Sequence, residues 1–341
     1  MKIDKRDQQL DEALSTPCPS LVDMMRRIEG DIMILGIAGK IGVTLGMAVR
    51  KAIRQAGVKK KVIGVSRFSD PGARGKLDRY GIETIQCDLL DHDAVRLLPD
   101  VRNIIFMAGR KFGTSSSMET TWAINTIAPA NISSRFQQSC IVAFSTGCVY
   151  NLVPVKSGGS KETDPPAPIG EYAQSTLARE RIFEYYSLSN QTPVCLLRLN
   201  YAVDLRYGVL RDIGDSVYGG QPFDVTMGYV NLIWQGDAIN QSLLCLDKCA
   251  SPPLVLNITG PETLSVREIA LEFGRHFSLD VNIAGEESPT ALLSDSSCAS
   301  GLFGKPVVSV EQMITWTAEW IKSGGTSLNK PTHFQTRDGK F

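Results

Sequence analysis

Short, almost unbroken apolar runs recur along the chain: DIMILG (31–36), KVIGVS (61–66), IETIQCD (82–88), NIIFMAG (103–109), CIVAFST (140–146) and PVCLLRL (193–199). Helix-like segments separate them, the first being VTLGMAVRKAIRQAG. Strands that read as continuous apolar runs, rather than alternating ones, are buried on both faces. Such runs alternating with helices predict an α/β fold with a doubly wound parallel sheet, whose ligands bind beyond the carboxyl ends of the strands. After about residue 200 the pattern loosens, and one further run, PLVLNITG (253–260), reads as a return to the sheet. The expected organisation is a helical extension over 1–30, a main domain over 31–199 plus 236–260, a smaller lobe over 200–235 plus 261–325, and a polar, irregular tail over 326–341. In the extension, SLVDMMRRIEG reads as one amphipathic helix stopped by Gly30.

Composition narrows the possible partners. Hydrophobic residues make up 43% and charged residues 21%, which suits a globular protein with a proper core. Acidic and basic side chains cancel at 36 each, which points away from nucleic acid and from an anionic membrane surface. The opening MKIDKRDQQLDEAL lacks the apolar run of a signal peptide, and no stretch approaches the roughly 20 apolar residues that span a bilayer, so a cytoplasmic protein is expected. Cys18, Cys87, Cys140, Cys148, Cys195, Cys245, Cys249 and Cys298 form no CxxC pair and mostly sit in apolar runs, as reduced buried thiols do. His92, His276 and His333 are scattered, so no metal site is expected.

Between the first run and its helix, ILGIAGKIG spaces Gly36, Gly39 and Gly42 as GxxGxxG, with Lys40 and Ile41 inside the turn. The first glycine permits a tight turn, the second lets backbone approach a pyrophosphate, and the third lets helix pack on strand. The helix N-terminus adds amides and a positive dipole end. The second run ends in Ser66 and Arg67, where an acidic residue would accept from the ribose hydroxyls of NAD. A hydroxyl and a guanidinium suit a 2′-phosphate, so NADP is preferred, with NAD as the alternative. Asp88, followed by Leu89, ends the third run and offers an acceptor to the adenine.

Together these features resemble the extended short-chain dehydrogenases/reductases, the NAD(P)-dependent sugar epimerase/dehydratase group. The resemblance rests on the glycine spacing, CDLLD, the Ala108–Gly109 pair, Asn125 in WAINT, FSTGCVY, EYAQS and RLNY, and runs from about residue 31 to 325. It implies a Rossmann domain with a C-terminal substrate lobe, and hydride transfer at a hydroxyl or ketone of a sugar or nucleotide sugar. It implies Tyr172 as acid or base and Thr146 as its support. It also implies cofactor contacts at Asn125, Ala108, Gly109 and Tyr172, substrate contacts at Cys148, Asn200, Arg206 and Arg211, and a homodimer through TTWAINTIAPANISSRFQQ and EYAQSTLARERIFEYYSLSN.

One departure stands out. The family's Tyr is followed four residues on by a Lys that lowers its pKa, and here that position is Thr176. Lys111, two residues past the Ala108–Gly109 pair, is the candidate replacement cation and cofactor contact, with Arg110 as the alternative. Gly147–Cys148 stands where 4,6-dehydratases carry an acidic pair, which argues against that reaction. Cys148 falls where some epimerases of the group place a catalytic thiol, yet a small packed cysteine fits equally. The competing reading is a dinucleotide-binding sensor with little turnover, which the missing Lys favours.

Overall fold

The computed structural model describes residues 5–69, 71–111 and 117–340. The first four residues of the expected extension, residues 112–116 directly after Lys111, and Phe341 at the end of the tail lie outside these.

The apolar runs are strands: β1 (Ile32–Leu35), β2 (Val62–Ser66), β3 (Glu83–Gln86), β4 (Asn103–Phe106), β5 (Cys140–Thr146), β6 (Val194–Leu199) and β7 (Leu254–Ile258). All pair in parallel, in the order β7-β6-β5-β4-β1-β2-β3. The chain winds one way from β1 to β3 and the other way from β4 onward. The β1/β4 boundary is therefore the switch point at which α/β sheets of this kind open a binding crevice.

The helices used below are α1 (Lys5–Leu14), α2 (Pro19–Arg27), α3 (Gly42–Ala56), α4 (Met118–Arg135), α5 (Gly170–Asn190), α6 (Val209–Tyr218), α7 (Gln235–Leu244), α8 (Val266–Phe277) and α9 (Val310–Lys322). One sheet face packs Ile32, Ile34 and Val142 against α2, α3 and α7; the other packs Met33, Leu35 and Phe106 against α4 and α5. Helix α3 stops where its sequence supplies a glycine: Gly57 takes φ +70 and closes the last turn. A third core, built on α6, α8 and α9 around Ile213, Phe273 and Met313, is the smaller lobe.

The extension holds two helices rather than the one expected. Helix α2 is the amphipathic one, with Leu21, Met24 and Met25 fully buried, each worth about 1.5–3 kcal/mol of transfer free energy. Helix α1 packs Leu10 and Leu14 into the lobe core instead, while its Asp11 pairs with Lys76 of the main domain at 3.0 Å and Arg206 of the lobe at 2.8 Å. The extension therefore fastens lobe to domain. Among the described residues, no helix is long and apolar enough to cross a membrane, and no group of three or more His, Cys, Asp or Glu side chains is placed to hold a metal.

Candidate active site

The glycine turn sits at the switch point. Gly36 takes φ +90, and a Cβ there would lie 2.7 Å from Ala108 N, so β1 and β4 can approach this closely only because both side chains are minimal. Gly39 N–H donates to Gly36 O at 3.0 Å and Gly42 N–H to Gly39 O at 3.1 Å, which lead the chain into α3 after Ile41. A Cβ on Gly42 would collide with Ile37 O. Gly36, Gly39, Ser66, Arg67, Asp88, Leu89, Ala108 and Gly109 line one cavity of about 440 Å³. Eight of the residues assigned to the cofactor from sequence are thus brought together, as a groove of bare backbone ending on a helix N-terminus. That groove fits a dinucleotide: the turn offers amides, and the glycines leave the width a pyrophosphate needs.

Of the other six, Ile41 and Gly42 lead into α3 and Tyr172 stands on α5, and the remaining three lie elsewhere. Lys40 sits over the ring of Tyr207 at 3.5 Å, in the cleft between domain and lobe. Its ammonium is pulled down to about 7 by desolvation, with repulsion from Lys111 and Arg206 added and Asp204 and Asp212 opposing. Asn125 stands behind the cavity wall, fully buried. Its amide oxygen accepts from Arg110 N–H at 3.2 Å and from Arg179 Nη2 at 2.5 Å, and its Nδ2 donates to Ser175 Oγ at 2.9 Å. Pro129, one turn on inside α4, has no N–H for the carbonyl of Asn125, so the helix is opened at the residue the site uses. Lys111 points its Nζ at the carbonyl of Thr332 in the tail, 3.4 Å away, and also faces Cys148 and Asp212; burial lowers its pKa.

The chemistry gathers at the carboxyl end of β5. Thr146 closes that strand, and its Oγ1 accepts from Cys148 N–H at 3.2 Å, so the short turn Gly147–Val149 fixes the hydroxyl. Tyr172, in the first turn of α5, faces the hydroxyls of Thr146 and Thr176. Its phenol is pushed up to about 12, first by burial and then by Cys148, against the pull of those hydroxyls and the positive charge of Arg179. Thr176 also returns its Oγ1 to the carbonyl of Tyr172 at 2.8 Å. The lobe adds Asn200, Tyr201 and Tyr207. Asn200 is buried, and its Nδ2 has no hydrogen-bond partner among the described residues, which is the sign of a donor awaiting an oxygen-bearing ligand. Tyr201 next to it holds φ +41, a left-handed conformation uncommon for a bulky side chain.

Arg206 and Arg211, assigned to substrate from sequence, are both engaged within the protein. Arg206 pairs with Asp11 at 2.8 Å and Asp204 at 3.4 Å. Arg211 pairs with Asp215 at 2.7 Å and donates to the carbonyl of Thr326 at 3.0 Å. The tail that receives this bond is irregular yet firmly placed. Thr332 donates to Asp212 through N–H at 2.8 Å and Oγ1 at 2.6 Å. Phe334 is buried between Tyr201, 6.5 Å away ring to ring, and Phe223, 6.4 Å away. Gly339 lies against Gly170 at the start of α5, where a side chain on either would collide with the other's backbone. The tail thus runs from the lobe past Lys111 to the helix carrying Tyr172.

Two features escaped sequence reasoning: this tail, and Arg179. The only sequence signal for Arg179 is its spacing of two helical turns from Tyr172.

No curated protein sequence matches the chain. Solved structures match over nearly their whole length. UDP-glucuronic acid 4-epimerase from Bacillus cereus, in complex with UDP-glucuronic acid and NAD, is 20% identical at TM-score 0.72, with 86% of this chain and 99% of that one covered. UDP-glucose 4-epimerase from Thermotoga maritima with UDP-glucose is 18% identical at TM-score 0.70, covering 86% and 99%. The Bordetella bronchiseptica enzyme WbmG in complex with NAD and UDP is 18% identical at TM-score 0.69, covering 89% and 99%. At these identities the likeness establishes the fold. The family model described as NAD dependent epimerase/dehydratase matches residues 32–203, half of the chain and the stretch holding the glycine turn, Thr146 and Tyr172. The chain belongs to the NAD dependent epimerase/dehydratase family.

Proposed function

We propose that the protein catalyses reversible hydride transfer at a hydroxyl-bearing carbon of a sugar, most simply a nucleotide sugar, with Tyr172 exchanging the hydroxyl proton and Thr146 holding the same oxygen. The observation that carries this reading is Tyr172 facing Thr146 at the carboxyl end of β5, one strand from the glycine-lined groove between β1 and β4. A nicotinamide dinucleotide, when bound, supplies or accepts the hydride. The residues that would hold it are Gly36, Gly39, Ser66, Arg67, Asp88 and Gly109. Asn200 offers its unpartnered Nδ2 to a substrate oxygen. The neighbours solved with UDP-glucuronic acid and UDP-glucose support a UDP-sugar. Gly147–Cys148 offers no carboxyl group next to Thr146, which supports epimerisation or reduction over 4,6-dehydration. Calorimetry with NADH and NADPH, followed by incubation with UDP-glucose or UDP-glucuronic acid and product analysis by NMR, tests the reading. Protein that binds neither dinucleotide would sink it.

The tail across the cleft, beside the missing lysine at Thr176, favours the alternative, a dinucleotide-binding sensor with little turnover. A Tyr172→Phe variant separates the two, as argued in the Discussion.

For the cofactor's adenosine end, the groove offers Ser66, Arg67 and Ser69 after β2, and among the described residues no carboxylate joins them there. This supports a preference for NADP, although the neighbours above hold NAD. A guanidinium–phosphate contact is worth about 1.5–3 kcal/mol, so Arg67→Ala should weaken NADPH by about tenfold or more and leave NADH unchanged. Equal losses for both would place Arg67 on the adenine instead.

A homodimer is proposed from the surface as well as the resemblance. Helices α4 and α5 pack together and leave Ile127, Tyr185 and Leu188 about half exposed or more, at 49%, 64% and 51%. Sedimentation should find a dimer that Leu188→Lys with Ile127→Lys converts to monomer.

A further inference from the structure

We propose that Arg179 is the positioning cation of this site, taking the part that a lysine at Thr176 would play toward Tyr172. The inference rests on the reading of Tyr172 as the proton-exchanging group. It concerns the source of the positive charge beside it, which the sequence alone assigned to Lys111.

The geometry begins with the helix. Residues i and i+7 fall on one face of an α-helix, about 10.5 Å apart along the axis, and side chains tilt back toward the N-terminus. An extended arginine two turns beyond Tyr172 therefore returns its guanidinium toward the tyrosine, and α5 buries the whole of that stripe: Ser175, Thr176 and Arg179. The guanidinium is then pinned. Nη1 donates to Phe144 O at 2.7 Å, Nη2 to Asn125 Oδ1 at 2.5 Å, and the group lies 5.5 Å from the centre of the Phe106 ring. Gly109 makes the room, since a Cβ there would stand 2.5 Å from Nη2. The guanidinium thus lies directly behind the Ala108–Gly109 wall of the dinucleotide groove.

Charge is the telling part. Every hydrogen-bond partner of Arg179 is neutral, its Nε has none among the described residues, and no carboxylate there forms an ion pair with it. The adjacent Glu180 points the other way and is held by Arg198 through both oxygens, at 3.0 and 2.7 Å. A buried guanidinium whose adjacent carboxylate, Glu180, is bonded to another cation is costly. It becomes favourable where a negative charge forms transiently beside it, and the nearby group that can carry one is the Tyr172 phenolate. Burial pulls Arg179 only down to about 10, with Tyr172 and Glu180 opposing, so it stays charged at neutral pH. Among the described residues, Thr146 and Cys148 from the end of β5, Tyr207 from the loop before α6, and Thr176 on its own helix also face Tyr172. Lys111 is engaged with Cys148, Asp212 and the tail.

The test is a titration, independent of turnover. With NAD bound, whose positive nicotinamide would draw the Tyr172 midpoint down toward pH values at which Arg179 is still protonated, the phenolate absorbance assigned to Tyr172 is the difference between the parent protein and its Tyr172→Phe variant. Arg179→Met should raise that midpoint by about one pH unit or more, the scale of losing one close opposite charge. Adding Thr176→Lys to Arg179→Met should bring it back. NADH affinity, measured by fluorescence in each variant, shows whether the groove is intact. A midpoint that does not move in Arg179→Met while NADH still binds overturns the proposal. If Arg179→Met fails to bind NADH, Arg179→Gln, which is neutral but keeps a donor for Phe144 O, takes its place under the same criterion. Should the function proposed above be wrong, Tyr172→Phe would keep full turnover while this titration still reported the coupling, so the two failures are distinguishable.

Discussion

Tyr172→Phe should lower turnover by about 10²–10⁴, the usual scale of a lost general acid or base, and leave dinucleotide affinity unchanged. The substitution removes one oxygen from a half-buried ring. Thr146 Oγ1 still accepts from Cys148 N–H and Thr176 Oγ1 still donates to the carbonyl of residue 172, so neither neighbour is left unpaired. Because the hydroxyl acts on the proton in flight, kcat and kcat/KM should fall together, as for an interaction made only in the transition state. The pH dependence follows from the sign of the shift. Burial and Cys148 raise the phenol to about 12, so below that value the protonated form dominates. Reduction, which needs a proton donor, should therefore be nearly flat across neutral pH. Oxidation, which needs the phenolate, should rise by about tenfold per pH unit below the midpoint. The positive charge of a bound oxidised nicotinamide would move that midpoint down. Steady-state rates in both directions check all of this. Unchanged rates in Tyr172→Phe would leave the sensor reading in possession.

The strands were legible because β1, β4 and β5 are buried on both faces and must be apolar at nearly every position. The glycine turn was legible because a left-handed Gly36 and the close approach of Ala108 tolerate no other residue. Helix α1 was not, because KRDQQLDEAL shows only Leu10 and Leu14 as an apolar stripe. It is held instead by charge pairs to Lys51, Lys76 and Arg206, which meet only in three dimensions. The tail was read as polar and irregular for a similar reason, since Phe334 alone anchors it while Thr332 and Arg337 are satisfied by Asp212 and Thr290. Arg179 was hidden differently. Its position in EYAQSTLARE was visible, but whether an arginine turns inward depends on Gly109, Asn125 and Phe144 from three other segments. Arg206 and Arg211 mislead by the same logic, because the carboxylates that neutralise them are partly remote.

Glu180→Gln should destabilise the fold by about 3–5 kcal/mol, since it strips a buried guanidinium of its counter-charge. Arg198 and Glu180 have side-chain exposures of 4% and 2% and meet through two parallel bonds. Glu180 holds Arg198 well above the usual arginine range against the opposing effect of burial, and arginine's intrinsic basicity keeps the guanidinium charged when that carboxylate is lost. Urea denaturation should show a lower midpoint with an unchanged slope. The pair belongs to a larger network: Arg198 Nη1 donates to Tyr150 OH at 2.7 Å, Tyr150 OH to Asn257 Oδ1 at 2.9 Å, and Ser145 Oγ to Glu180. It thereby ties β5, β6 and β7 to α5. Replacing a whole buried pair by apolar residues is often neutral or stabilising, so Glu180→Met with Arg198→Met should recover most of the lost stability. Activity should not follow. Ser145 precedes Thr146, and its bond to Glu180 sets the register of β5 against α5, the two elements that bring Thr146 and Tyr172 together. Without it β5 and α5 are joined by the Arg179–Phe144 bond and apolar packing alone, which tolerates small slips that the full network does not. A misplacement of about 1 Å can cost about a hundredfold in rate. The double variant should then be stable and slow, and one that regains full turnover would reduce the network to fold support alone.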